Sequence, residues 1–276
     1  MTFSIVARSA DGLSYGVAVA SKFLAVGAAV PAAEAGVGAL ATQAYANLAY
    51  RPQGLVLLRT GVGAADVVAG LTAADPGRAQ RQLGVVDRTG AGATYTGAEC
   101  HDWAGGLAGD GYAIQGNILT GPEVVEAMRD AWLAVAADLS FPRRLLAALA
   151  AGDRAGGDRR GRQSAALLVV RPAGGYGGTS DIEVDLRVDD DSDPVVTIER
   201  LMGVHELLFT KADPATMLEL SGDLAAEVRD RLARLGHTAD TLDAALASWA
   251  GVENLEERLV PGRIDPLVLE ALRRAP

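Results

Sequence analysis

Cysteine is nearly absent: the 276-residue chain holds one, Cys100. A single thiol excludes an internal disulfide framework and any metal site built from several cysteines. Long apolar runs are missing too. The longest, Phe23 to Ala33, contains Gly27 and Pro31 and stops at Glu34, well short of the ~20 apolar residues of a bilayer span. No membrane partner is expected. No basic leader with a short apolar core and a small-residue cleavage site opens the sequence, so the cytoplasm is the expected location. Positive charge is in deficit as well. Lys and Arg number 25 against 35 Asp and Glu, a net charge of −10. That removes the basic footprint with which a nucleic-acid binder displaces counterions. Lysine is scarcest of all: among those basic residues only Lys22 and Lys211 are lysines. In a chain that otherwise uses arginine, a retained amine marks a position to inspect, because a guanidinium cannot be deprotonated.

What remains is ordinary for a folded protein: 49% hydrophobic and 22% charged. At ~100–200 residues per domain the length allows one large domain, or one domain plus a small appendage. Residues 2–8 alternate as a strand, Asp11-Gly12 reads as a turn, and Tyr15–Ser21 reads as the hairpin partner. A short strand is expected over Gly36–Ala44. Helical spacing follows from Pro52 to Ala74, interrupted at Gly61 and Gly63. Strands are expected at Gln82–Asp87, Ala93–Thr96, Tyr112–Ile118 and Ala165–Val170, with a glycine-rich loop over 97–111. Helices are expected after Pro122 (Val125, Met128, Trp132 and Val135 on one face), over Pro142–Leu149, and over Pro194–Phe209. Grouped strands and grouped helices indicate an α+β fold with antiparallel or mixed sheets and helices outside, which a four-layer α-β-β-α sandwich satisfies. From the Lys211–Pro214 hinge onward the periodicity is purely helical, with helices near 221–235 and 240–250 and from Asp265-Pro266. The division is a domain over 1–210 and a helical module over 213–276.

Candidate chemistry begins at Thr2. Aminopeptidases remove Met1 when the second residue is small. Thr2 would then carry both a hydroxyl and a free α-amine, whose pKa of ~7.7–8.0 suits a general base. Lys22 ends the strand paired with the one Thr2 begins, where a cation would lower the pKa of both groups. Ser21, Thr42, Gln43 and Asn47 sit at strand ends that could face the same cleft. Gln115 and Asn117 interrupt an apolar strand, and Asn117 could donate to an oxyanion. Asp158, Arg160, Gln163 and Ser164 form a polar loop entering a buried strand.

The segments Met1–Arg8, Gly16–Gly27, Ala41-Thr-Gln-Ala44, Gln115-Gly-Asn117 and Gly156–Ala165 together resemble the bacterial and archaeal domain family of unknown function numbered 1028, over about residues 2–209. The resemblance implies the fold of the N-terminal-nucleophile hydrolases, and with it the four-layer sandwich and Thr2 as nucleophile. Ser21 and Lys22 occupy the stretch where that template more usually has an acid. Residues 213–276 are similar to a peptidoglycan-binding helical module.

Competing readings are weaker on the residues. Cys100-His101 are adjacent, and neighbours on a strand point to opposite faces. His205-Glu206 lacks the second histidine of a zinc-protease motif. The acidic stretch Asp189–Asp193 lacks EF-hand spacing. Leu55–Asp66 with Asp87 imitates a dinucleotide fingerprint, but Asp66 stands where the third glycine belongs. The expectation is therefore an N-terminal-nucleophile amidohydrolase acting on a small molecule or short peptide, without cofactor or metal. The alternative is a non-catalytic small-ligand, peptide or glycan binder on the same fold. A homo-oligomer is expected, with a dimer favoured.

Overall fold

The computed structural model describes residues 2–134 and 139–276. Met1 and Val135 lie outside the described residues. The chain divides into two compact units, Met1–Met202 and Gly203–Pro276. Elements follow in the order β1 (Thr2–Arg8), β2 (Tyr15–Ser21), α1 (Val26–Ala29), β3 (Pro31–Glu34), β4 (Gly38–Ala44), α2 (Tyr50–Arg59) and α3 (Ala64–Ala73). Next come β5 (Arg81–Asp87), β6 (Gly92–Thr96), β7 (Gly105–Gly109), β8 (Tyr112–Asn117), α4 (Glu123–Ala134), α5 (Phe141–Arg154), β9 (Ser164–Val170), β10 (Ile182–Val188) and α6 (Pro194–Phe209). The remainder holds β11 (Leu218–Glu219), α7 (Gly222–Arg234), α8 (Leu242–Glu253), β12 (Arg263–Ile264) and α9 (Pro266–Arg274). Among the described residues, no helix is long and apolar enough to cross a membrane.

The first unit is a mixed α/β structure with two antiparallel sheets. One has six strands in the order β10-β9-β2-β1-β8-β7, the other four in the order β3-β4-β5-β6. Strand alternation sorts the side chains of β1 between two cores. Phe3, Ile5 and Ala7 pack with Met128, Leu145 and Leu149 of α4 and α5. Val6 packs instead with Ala39, Ala41 and Val86 of the four-stranded sheet. That second core is rich in alanine and valine, so the facing strands approach closely. Leu40, Leu83 and Val85 point the other way, onto Tyr50, Leu58, Val67 and Leu71 of α2 and α3. Each fully buried large side chain contributes about 1.5–3 kcal/mol.

The interruption read at Gly61 and Gly63 is the break between α2 and α3, where Gly61 takes φ 90°. One expectation needs correction. The glycine-rich segment 97–111, expected as loop, contains β7, which pairs along β8 from Gly105↔Gly116 to Gly109↔Tyr112. Glycine weakens a strand in isolation. Here it is required by proximity: a Cβ on Gly106 would lie 2.8 Å from the Ile114 carbonyl oxygen.

The second unit has its own core of Val228, Leu232, Leu246, Trp249, Val268, Leu269 and Leu272. Beside it Arg258 is buried against Asp265, Nη1 to Oδ2 at 2.6 Å, with side chains 3% and 4% exposed. Its remaining guanidinium nitrogens donate to the carbonyls of Leu207 and Glu206 and to the Thr210 hydroxyl. Asp265 also caps α9, accepting from the Leu267 N–H at 2.7 Å.

Candidate active site at the end of β1

Four strands of the larger sheet end together. Thr2 pairs with Asn117 on one side. On the other, Phe3 opposite Ala20 brings Thr2 beside Ser21, which in turn pairs with Ser164. Asn117, Thr2, Ser21 and Ser164 therefore form a row across the sheet, and all four are buried. The Thr2 and Ser21 hydroxyls share a hydrogen bond of 3.1 Å.

A second polar layer lies one pleat deeper, between the sheets. Gln43 of β4 uses its Nε2 to donate to the Thr2 carbonyl (3.1 Å) and to Gln82 Oε1 (2.8 Å). The Asn117 amide also donates to Gln82 Oε1, at 2.9 Å. Ser4 donates to Gln43 Oε1 at 2.7 Å, and Gln115 donates to Ser4 at 2.6 Å. Gln82 Nε2 donates to the Gly116 carbonyl at 2.7 Å. These glutamines are at most 1% exposed, so each amide must find its partners inside the protein. The network fixes the mutual register of the sheets at Thr2, because a one-residue slip of β4 would turn Gln43 to the opposite face. The backbone near these strand ends is strained: Ala25, which precedes α1, Ala44, which ends β4, and Ile118, which follows β8, take φ of 52°, 69° and 50°. Left-handed non-glycine residues cost about 1–3 kcal/mol each and gather at functional sites.

Lys22 leaves this row. Its backbone N–H donates to Asp158 Oδ2 at 2.7 Å, and its Nζ donates to the Arg162 carbonyl at 3.2 Å in an exposed position. The amine expected beside the Thr2 hydroxyl is thus engaged elsewhere, and Ser21 holds that hydroxyl. Lys22 lies just past the end of β2, in the loop that Asp158 holds. Asp158 anchors the loop after β2, also accepting from the Arg160 N–H at 2.8 Å and facing the Arg160 guanidinium at 3.4 Å. Ser164 secures the same loop, donating to the Phe23 carbonyl and accepting from the Val26 N–H. Gln163 is turned to Asp190.

Thr42 and Asn47 join a different group. Thr42 Oγ1 donates to the Asn47 carbonyl, and Asn47 Nδ2 donates to Asp75 Oδ2. Tyr50 and Arg81 donate to that same oxygen, both at 2.9 Å. The Arg81 guanidinium holds the Asp75 carboxyl well below the usual carboxylate range. Burial, then the Asp75 bond, pushes the Tyr50 phenol up. A carboxyl whose folded pKa is depressed stabilises the fold above its unfolded pKa of ~3.9, and that stabilisation is lost as pH falls through the folded value. Asp75→Asn is therefore expected to flatten the acid limb of the stability curve below about pH 4. Urea unfolding from pH 5 downward measures it, and an unchanged acid limb refutes it.

The competing motifs are occupied. Asp87 accepts from the Ala64 N–H at the start of α3 and from Thr89 and Ala91 in the β5–β6 turn. Burial raises its pKa, but these donors outweigh burial and hold it below normal. Its oxygens are committed to the fold. Burial raises the Cys100 thiol, the reverse of what a thiolate nucleophile needs. No group of three or more metal-ligating side chains occurs among the described residues.

Residues 2–198 match the family described as "Family of unknown function (DUF1028)". The chain belongs to that family. Residues 208–272 match the family described as "Putative peptidoglycan binding domain". A crystal structure of a DUF1028 protein from Silicibacter pomeroyi is similar at 34% identity, with a TM-score of 0.67, over 81% of this chain and 88% of that one. Among curated proteins nothing matches.

Within this DUF1028 domain, Ser4 and Gln82 complete the Thr2 network without having been expected there. Both carry a sequence signal: each is a polar residue at a core position of a strand. Gly84 completes the fit, since a Cβ there would lie 2.0 Å from Gln115 Oε1, which is buried and has no hydrogen-bond partner. Gly84→Ala is expected to displace the Gln115 amide and to destabilise the fold by about 1–3 kcal/mol. Denaturant melts measure this, and an unchanged midpoint refutes the fit.

Proposed function

We propose that the DUF1028 domain is an N-terminal-nucleophile amidohydrolase, its two sheets and flanking helices forming an α-β-β-α sandwich. One observation carries this reading: the Thr2 hydroxyl, at the end of a central strand, is held by a second hydroxyl while Gln43 fixes the Thr2 carbonyl. Removal of Met1 frees the α-amine. That amine takes the Thr2 proton as Oγ1 attacks the substrate carbonyl, and returns it to the leaving amine as the C–N bond breaks. Water then hydrolyses the resulting ester. Asn117 spends one amide hydrogen on Gln82 and has a second for the oxyanion. Ser21 positions the nucleophile. The substrate is an amide of a small molecule or short peptide, and a panel of such amides run against Thr2→Ala tests the reading.

For the second unit the family match supports glycan binding. Peptidoglycan binding sets cell-wall association against the cytoplasmic expectation. The full chain should co-sediment with purified peptidoglycan, and a chain ending at Thr210 should stay folded and remain in the supernatant. Co-sedimentation of the shortened chain refutes the assignment, and its aggregation refutes the division at 210–213. Exposed Phe23 and Leu24, at 53% and 59%, support a homodimer, which light scattering decides.

A further inference from the structure

An open pocket of about 280 Å³ lies behind the end of β1. Its apolar lining comes from Phe3, Ala20, Pro194 and Val195, and its charged lining from Asp153, Arg154, Asp158 and Arg162. Phe3 and Ala20 belong to the core on the helix side of the sheet. Ser21, whose hydroxyl holds Thr2, also lines the pocket, which therefore adjoins the Thr2 row from the helix side of the sheet, whereas the glutamine network lies between the sheets.

The charged groups are not equivalent. Arg162 is spent on Asp153, with Nε at 2.8 Å from Oδ1 and Nη2 at 2.9 Å from Oδ2, and it also faces Asp193 at 3.8 Å. Asp158 is spent on two backbone N–H groups and on Arg160. Arg154, the last residue of α5, is exposed and makes no hydrogen bond or ion pair among the described residues. Pairing thus cancels both carboxylates of the lining and leaves one guanidinium over. The carbonyls of the last turn of α5 are no counterweight. Those of Ala151, Gly152 and Asp153 already accept from Ala155, Gly157 and Gly156.

A pocket with an apolar wall and one uncommitted guanidinium is matched to an amphiphilic anion. We propose that it binds small monocarboxylates, the hydrocarbon part against Phe3, Ala20 and Val195 and the carboxylate on Arg154. Arginine presents a planar fork that engages a carboxylate through two parallel N–H···O bonds. Two carboxylates in one ligand would bring the second against Asp153 or Asp158, which disfavours dicarboxylates. The site needs neither Thr2 nor turnover, so it goes beyond the hydrolase reading.

The test is titration calorimetry on the full chain with 4-methylpentanoate and with 4-methylpentan-1-ol. Neither has a bond that an amidase cleaves, so the result is independent of any chemistry at Thr2. The acid should bind at least tenfold more tightly than the alcohol. Arg154→Gln should weaken the acid at least tenfold. Arg159→Gln, at an exposed arginine that is not part of the lining, should leave binding unchanged. Three results overturn the proposal: no heat with the acid, equal binding of the alcohol, or equal loss in both arginine variants.

Discussion

Thr2→Ala is expected to lower amide turnover by about 10³–10⁶-fold, the range seen when a nucleophile that acts as a unit with its base is removed. The loss should fall on kcat, because the hydroxyl contributes a bond formed only on the reaction path. The fold should survive. The substitution removes one side-chain hydrogen bond, to Ser21, worth about 0.5–1.5 kcal/mol, and leaves the Thr2 carbonyl on Gln43. Thr2→Ser keeps hydroxyl and amine and should retain part of the rate. The wild-type rate should rise with pH as the α-amine loses its proton near ~7.7–8.0. Turnover that survives Thr2→Ala, in a sample whose mass shows Met1 removed, places the chemistry elsewhere.

Arg258→Met should cost the second unit about 3–5 kcal/mol, the usual penalty for stranding one partner of a buried ion pair. The change leaves the Asp265 carboxylate, 4% exposed on its side chain, without its cation. It also removes the donors to the carbonyls of Glu206 and Leu207. At ~0.05–0.15 kcal/mol per residue a unit of this size has about 4–11 kcal/mol in all, so much of its structure should open. Hydrogen exchange of amides in α7, α8 and α9 in the full chain reads this directly. Asp265→Asn on top of Arg258→Met should recover part of the loss, because it removes the stranded charge and keeps an oxygen to cap α9. Unchanged protection in the single variant refutes the assignment.

Much of this was legible where one physical signal dominated. The β1–β2 hairpin follows from alternation and the Asp11-Gly12 turn, and the observed register begins at Arg8↔Tyr15. The row through Thr2 and Ser21 follows from that register. Lys22 lies one residue past the end of β2, where its backbone is held by Asp158 and its side chain follows the loop to the Arg162 carbonyl rather than the strand. Gln115 and Asn117 stand out as polar breaks in an apolar strand and Gln43 as a polar residue at a strand end, and the structure joins the three. Thr42, one residue from Gln43 within β4, is turned to the opposite face by strand alternation. β7 was hidden because glycine carries no strand signal, and its need arises only from the neighbouring β8 and Trp103. Gln82 acts through partners far away in sequence, which spacing cannot reveal. β10 was not among the expected strands, although Ile182, Val184, Leu186 and Val188 alternate along it.

The central place of β1 has a consequence for the order of events during synthesis. Its two neighbours are β2, which leaves the ribosome at once, and β8, which starts at Tyr112. At ~5–20 residues per second the second neighbour arrives about 5–20 s later. Until then one edge of β1 is open and its final contacts await a distant segment, a high-contact-order step that slows folding. In the finished fold Thr2 is only 5% exposed. The interval before β8 emerges is therefore when an aminopeptidase has the freest access to the peptide bond preceding Thr2. Under the proposed mechanism, slowing that enzyme relative to elongation would yield chains that fold with the bond uncut and the amine blocked, a loss fixed by timing rather than by stability.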